Sequence, residues 1–385
     1  MDLSFSMEQE MLRENVGRYC RDRFDRKSLQ QNEVAFSREH WTAFANMDWL
    51  GILIPEEAGG VNGSIIDVCI ILEEFGRHLV VQPYLACAVL AARAIERATN
   101  TEQRGALLGP MIRGELIVSL AHTELAARGD TACVDTVARR GSSGAYALHG
   151  KKTLVLAGPI ADKFAVSARL ASENGAHGRI AVFLVDRNAP GMRRRDYHTI
   201  DGRCVADLTL EEVKVGKDAL LITEEFGLLA IEDAIDFAII CLCAEAVGAM
   251  DNIIKVTAEY LKTRRAYGST LNTFQALQHR LADMMVELEM SRSMLYRAFA
   301  AFSGSNIEER RRVVSSAKAL IGRSAKFVAA NGIQLHGAQG MVDDYMIGQH
   351  FKQLTVIEGI FGCSDFHWEQ CALRSREGSF SVDRT

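Results

Sequence analysis

All five prolines of this 385-residue chain, Pro55, Pro83, Pro110, Pro159 and Pro190, fall in its first half, and residues 191–385 contain none. Proline fixes φ and removes a backbone donor, so helix interiors exclude it. A long tract without it, rich in Ala, Leu, Met, Glu and Arg, reads as helical. Within that tract Leu277, Leu281, Met284, Leu288 and Leu295 follow 3–4 spacing, with Ser291 filling one turn. Asp283, Glu287, Glu289 and Arg292 fall between them, which predicts an amphipathic helix of about seven turns. Further helices are expected over 224–261, over 307–331 (with Arg310, Arg311 and Arg312 near its start), over 345–357 and over 365–376. Long helices with short connections argue for a bundle.

The N-terminal third carries helical periodicity over 7–24, 38–47, 65–75 and 86–98, broken by LGILIPEEAGG, where Pro55 and a Gly pair mark a loop. Between 116 and 222 the pattern changes. The segments 116–120, 134–139, 146–150, 153–156, 163–169, 180–185, 193–197 and 207–215 are short, rich in Val, Ile, Leu and Tyr, and separated by Gly, Ser, Asn and Asp. They read as strands of a small barrel or sandwich. The expected architecture is α+β: an N-terminal helical domain over 1–115, a middle β-barrel or sandwich over 116–222, and a C-terminal four-helix bundle over 223–385.

Composition narrows the function classes. Apolar residues at 48% and charged residues at 24% suit a soluble globular protein. A net charge of −5 provides no basic field for a nucleic-acid backbone. The first residues, MDLSFSMEQEML, show no signal-peptide pattern. The most apolar stretches, 79–95 and 237–250, are interrupted by Gln82, Pro83, Arg93 and Glu245, so no membrane span is expected. Nine cysteines, with Cys241-x-Cys243 the only close pair, read as reduced cytoplasmic thiols rather than a zinc site or disulfide framework. GxGxxG, HExxH and GxSxG are all missing, which disfavours a Rossmann site and standard hydrolases. Gly144 to Gly150-Lys151-Lys152 approaches a phosphate loop but fails its spacing, and is read as a hairpin turn.

Several short motifs occur in a telling order. LGILIPEEAGG comes first, then AHTE ending at Glu124, YALHGKKTLVLAG from Tyr146, TRRAYG from Thr263, Phe274-Gln275, and QLHGAQG from Gln334. This series, with the α-β-α order, resembles the acyl-CoA dehydrogenase family over nearly the whole chain. The wording is closest to the group called pimeloyl-CoA dehydrogenase small subunits, which work beside a homologous large subunit. The resemblance implies FAD as cofactor, an acyl-CoA thioester as substrate and an electron carrier such as a flavoprotein. It also implies a homo-oligomer or a heterotetramer with a homologous subunit. In the family a carboxylate removes the Cα proton as the Cβ hydride passes to the flavin.

Carried over by position, Arg264 would meet the FAD pyrophosphate of a neighbouring subunit, Tyr267 the adenosine half, and Gln275 a nearby hydrogen-bonding group. Gln334 and Gly337 would lie along the same cofactor, and Thr123 would face the flavin ring edge. Taken without the resemblance, Arg264 and Arg265 are a solvated helix end and 334–340 a helix terminus and turn.

The sequence departs from the family where proton transfer and the flavin face are concerned. Ungapped alignment from Gln334 sets Phe361-Gly362-Cys363 where the family has Glu-Gly-Thr; a three-residue shift makes Glu358 the candidate catalytic base instead. The alternative base position of some relatives falls near Ala238. Leu154-Val155-Leu156 replaces Trp-Ile-Thr, Leu125 replaces a proline, and Arg128-Gly129-Asp130 replaces Gly-Ser-Asp. The expectation is a division of labour, in which this chain completes an FAD site whose base and flavin face sit on a partner. The alternatives are a full dehydrogenase using Glu358, an oxidase or monooxygenase relative on the same fold, and a cofactor-free scaffold.

Overall fold

The computed structural model describes residues 5–24, 36–142, 144–171 and 178–380. Its helices are α1 (Met7–Arg23), α2 (Arg38–Asn46), α3 (Ile65–His78), α4 (Ala92–Glu96), α5 (Thr101–Ile112), α6 (Gly227–Thr263), α7 (Gln275–Ser303), α8 (Ile307–His336), α9 (Met346–Gly359) and α10 (Ser364–Phe380). The strands are β1 (Val118–Ala121), β2 (Val137–Arg140), β3 (Tyr146–Leu156), β4 (Lys163–Leu170), β5 (Ile180–Asp186), β6 (Met192–His198), β7 (Cys204–Val215) and β8 (Leu220–Ile222), with a small hairpin, β9 (Arg265–Ala266) and β10 (Ser269–Thr270). The chain packs as two units. One comprises Met1–Glu33, Ile65–Val80 and Ile239–Thr385, and the other Val34–Ser64 and Val81–Ala238.

In the first unit the proline-free tract forms the long helices its composition implied. On α7 the 3–4 stripe buries Met284, Leu288, Ser291 and Leu295, while Met285, Val286 and Met290 stay exposed. Met284, in phase with the leucines, is the methionine of this helix that is fully buried. Helix α1 opens with a capping box, in which Ser6 Oγ accepts from the Gln9 N–H and the Gln9 side chain accepts from the Ser6 N–H. Helices α3 and α6 cross at a pair of glycines. A Cβ on Gly76 would collide with the Glu245 carbonyl, and one on Gly248 with the Glu73 carbonyl.

In the second unit the sheet order is β6-β7-β3-β2-β4-β5-β8. Strand β4 shares one edge between two partners, β1 along its first half and β2 at its end, both parallel to it. Strand β3 runs unbroken across the two strands expected at 146–150 and 153–156, bending at register shifts opposite β7. This corrects the hairpin reading of Gly150-Lys151-Lys152, which lies inside β3 and pairs with Leu210, Thr209 and Leu208. Helix α5 was not expected from sequence. Asn100 caps it by accepting from the Glu102 and Gln103 N–H groups, and Pro110 sits in its last turn, where its carbonyl ties down Glu115 and Leu116. The helix expected over 86–98 begins as a π-helical stretch, Leu85–Ala91, and turns α-helical only in α4.

The LGILIPEEAGG loop folds back on itself: the Gly60 N–H donates to the Pro55 carbonyl and the Val61 N–H to the Gly51 carbonyl. A Cβ on Gly60 would strike the Ile54 carbonyl, so the loop needs glycine there. Among the described residues no helix is long and apolar enough to cross a membrane, and no His, Cys, Asp and Glu group is arranged to hold a metal.

Candidate cofactor site

Arg264 is the first residue after α6. Its N–H continues the helix by donating to the Tyr260 carbonyl (2.8 Å), and its own carbonyl accepts from the Leu271 N–H (2.9 Å). Those bonds hold the β9–β10 hairpin, whose turn residues Tyr267 (φ 52) and Gly268 (φ 82) both have positive φ, as a two-residue hairpin turn requires. Tyr267 is 95% exposed and meets the Phe274 ring edge-on at 6.4 Å. Gln275 follows as the first residue of α7.

An aromatic stack ties this corner to the end of α8. Tyr260 lies against His336 with centroids 4.4 Å apart, and His336 against Tyr345 at 5.3 Å. Gln334 is two residues before that imidazole, and Gly337 ends the helix with φ 59 and open space where a Cβ would be. Arg264 and Gln334 are thereby brought to one end of the helical unit, and both, like Gln275, are exposed. Their side chains have no ion-pair or hydrogen-bond partner among the described residues. A fork of guanidinium donors, two amides and a bare glycine backbone form the donor set a diphosphate requires. The residues present therefore fit the dinucleotide part of FAD.

Thr123 lies in the other unit, just after β1, and its carbonyl accepts from the Thr153 N–H at 2.8 Å. Its neighbours His122 and Glu124 are buried. Between them runs a polar network centred on Lys152, whose ammonium is fully buried and donates to Glu124 Oε1 (2.7 Å), Ser167 Oγ (2.9 Å) and the His122 carbonyl (3.2 Å). Burial pulls the Lys152 ammonium down to about 8 against the opposing pull of Glu124. Burial pushes the Glu124 carboxyl up, but Lys152 and hydrogen bonds from Thr136 and Asp135 outweigh it and hold the group below the usual range. Burial and the Lys152 charge together push His122 down to about 3.

Leu154, in the last part of β3, and Ala157, just after it, have φ of 50 and 60. These values are strained for residues with a Cβ. The Leu154 N–H donates to Asp207 Oδ1 (3.2 Å), which also accepts from Tyr197 Oη (2.9 Å). Lys152 and Asp207 were missed in the sequence reading. A usable signal was present for Lys152: Tyr146, Leu148 and Lys152 share the inward phase of one strand.

Glu358, the sequence candidate for the base, is buried near the end of α9. Its carboxylate accepts from the Ser364 N–H and Oγ–H, both at 2.9 Å, and pairs with Lys326 at 2.7 Å. Burial raises its pKa, but Lys326 and the Ser364 donors prevail and hold it below the usual range. Lys318, also buried, donates to the Ile357 and Glu358 carbonyls. Phe361 follows in the α9–α10 turn with φ 59, and its carbonyl lies 2.9 Å from His367 Nε2.

Exposed Arg264, Gln275 and Gln334, unpartnered among the described residues of one unit, and a strained strand end at Leu154 on the other are the features to which a protein class must be assigned, and the comparisons make it an oxidoreductase. The chain belongs to the acyl-CoA dehydrogenase family, FAD-dependent enzymes that oxidise the CH–CH bond of acyl-CoA thioesters: the family's N-terminal, middle and C-terminal domain models match residues 6–115, 119–213 and 226–375. It is similar to the mitochondrial isovaleryl-CoA dehydrogenase of Pongo abelii, 28% identical over 94% of this chain and 86% of the relative. It is 26% identical to the caffeyl-CoA reductase-Etf complex subunit CarC of Acetobacterium woodii, over 92% of this chain and 95% of that one. Among solved structures, a variant of the Tcur3481-Tcur3483 steroid ACAD superposes with a TM-score of 0.86 at 28% identity, covering 97% and 98% of the two chains.

Proposed function

We propose that this chain serves acyl-CoA dehydrogenation by gripping the FAD diphosphate, while proton abstraction is left to a homologous partner subunit. The observation that carries the reading is the state of the base positions. By the family alignment Phe361 falls at one and the other falls near Ala238, and the displaced candidate Glu358 has its carboxylate committed to Ser364 and Lys326. A carboxylate held ionised by three donors has little affinity for a substrate proton. We read Glu358 as the cap that joins α9 to α10.

When bound, FAD supplies the hydride acceptor. Toward an FAD bound with a neighbouring subunit, Arg264 would pair with phosphate oxygens, Gln275 and Gln334 would add amide donors, Gly337 would let the backbone come close, and Tyr267 would offer a flat face to the adenosine half. Thr123, by the family resemblance, would face the ring edge of a flavin held by this chain's own segment 116–222. A second chain is favoured by the exposed apolar face of α7, where Met285, Val286, Met290 and Met294 with Leu320 of α8 line a groove of about 620 Å³. The Etf complex in the name of the A. woodii relative supports an electron-transferring flavoprotein as the electron carrier. Nine free thiols fit a reducing compartment such as the cytoplasm.

The test is to purify the chain alone and with its homologous partner, then measure FAD per protomer and anaerobic bleaching of the flavin by acyl-CoA thioesters. The expected result is bleaching only in the complex. One FAD per protomer together with acyl-CoA bleaching in the isolated chain would overturn the reading.

A further inference from the structure

We infer that Lys152 is a positioning residue whose buried ammonium sets the backbone of residues 122–124 against the strained end of β3, and thereby where the flavin ring edge is held. The flavin part of this statement rests on the placement of Thr123 proposed above.

Three consecutive residues of one segment are bonded to two consecutive residues of another. Lys152 Nζ donates to the His122 carbonyl and to Glu124, and the Thr153 N–H donates to the Thr123 carbonyl between them. The third ammonium proton goes to Ser167 on β4, so every donor of the group is used. Glu124 is braced in turn: it accepts from the Asp135 N–H (2.7 Å), the Thr136 N–H (3.1 Å) and Thr136 Oγ1 (2.6 Å). The segment carrying Thr123 thus has no slack relative to β3 at this point.

Beyond Lys152 the strand changes register against β7 before Val155. Leu154 takes its left-handed φ inside that shift, with its N–H held by Asp207. Strain of this kind persists only where the surroundings over-determine it, and it concentrates at ligand sites. Lys152 anchors the shift on its N-terminal side, and Asp207 with Tyr197 anchors the bulge itself. An apolar residue at 152 would continue the inward row of Tyr146 and Leu148 without the desolvation of an ammonium. A buried charge kept at such a position specifies geometry.

Two variants test this. Lys152→Met leaves Glu124 buried without its cation, which destabilises the fold itself; Lys152→Met/Glu124→Gln removes both charges and keeps the shape. In the double variant, amide hydrogen exchange across 121–125 and 152–158 is expected to quicken by about tenfold or more while other strands keep their protection. In the complex that carries flavin, its absorption band is expected to shift. Wild-type exchange rates in both segments of the double variant would overturn the assignment. So would an unprotected Thr153 amide in the wild-type protein, a readout that needs no variant. If the wild-type complex holds no FAD, the functional reading fails instead, and hydrogen exchange still decides the role of Lys152.

Discussion

Ser364 donates both its N–H and its Oγ–H to the carboxylate of Glu358, each at 2.9 Å, so the last turn of one helix caps the first turn of the next. Lys326 lies 2.7 Å from the same carboxylate, and Lys318 donates to the carbonyls of Ile357 and Glu358. Gly322 makes room for this: a Cβ there would overlap the Glu358 carboxylate and the Ser364 hydroxyl.

Glu358→Ala should therefore act on stability first. Losing a buried cap costs about 1–2 kcal/mol, and stranding the donors of Ser364 adds to it. Denaturant midpoints measure the loss. In the flavin-loaded complex, acyl-CoA bleaching by Glu358→Gln is expected to keep its wild-type pH profile. Disappearance of the proton-abstraction limb in that variant would make Glu358 the base.

The α3–α6 crossing predicts two severe substitutions. Gly76→Ala and Gly248→Ala each drive a methyl into the backbone of the facing helix, at Glu245 and Glu73. Backbone cannot step aside as a side chain can, so each is expected to cost on the order of 3 kcal/mol. Urea unfolding would show this directly. A wild-type midpoint for either variant would mean that the helices stand further apart.

Acid should destabilise the fold before carboxylates titrate. Burial holds His122 down to about 3 and His350 and His367 down to about 4, so all are neutral when folded. In the unfolded chain they take up protons below the ordinary value near 6.5. Between that value and about 4 the unfolded state binds more protons. Stability is therefore full above this window and falls with pH through it, by up to about 1.4 kcal/mol per pH unit for each imidazole. Melting temperatures between pH 7.5 and 4.5 should follow this slope, and His350→Gln should flatten it.

Arg264→Ala is expected to weaken FAD retention by roughly tenfold or more, with Arg264→Lys intermediate because an ammonium lacks the paired fork. Flavin content after gel filtration and FAD titration of the apoprotein both report it. An unchanged flavin content in Arg264→Ala would remove Arg264 from the cofactor site.

Periodicity and proline placement were enough to identify the long helices and the strand-rich middle, because those signals are local and repeat over many residues; the family came from the order of short motifs along the chain. Arg264, Tyr267, Gln275, Gln334 and Gly337 were proposed from short motifs at 263–268, 274–275 and 334–340, each readable within a few residues of chain. Lys152 and Asp207 could not be found in this way. They meet their partners across strands, and at 152 the alternation argument competes with the sequence habit of treating lysine as exposed. Glu358 shows the reverse case. One sequence position allowed a base or a cap, and the choice lay in where Ser364, Lys326 and Gly322 came to rest around it. Whether a carboxylate is free to take a proton depends on which donors surround it in space, and only packing brings those donors in from distant parts of the chain.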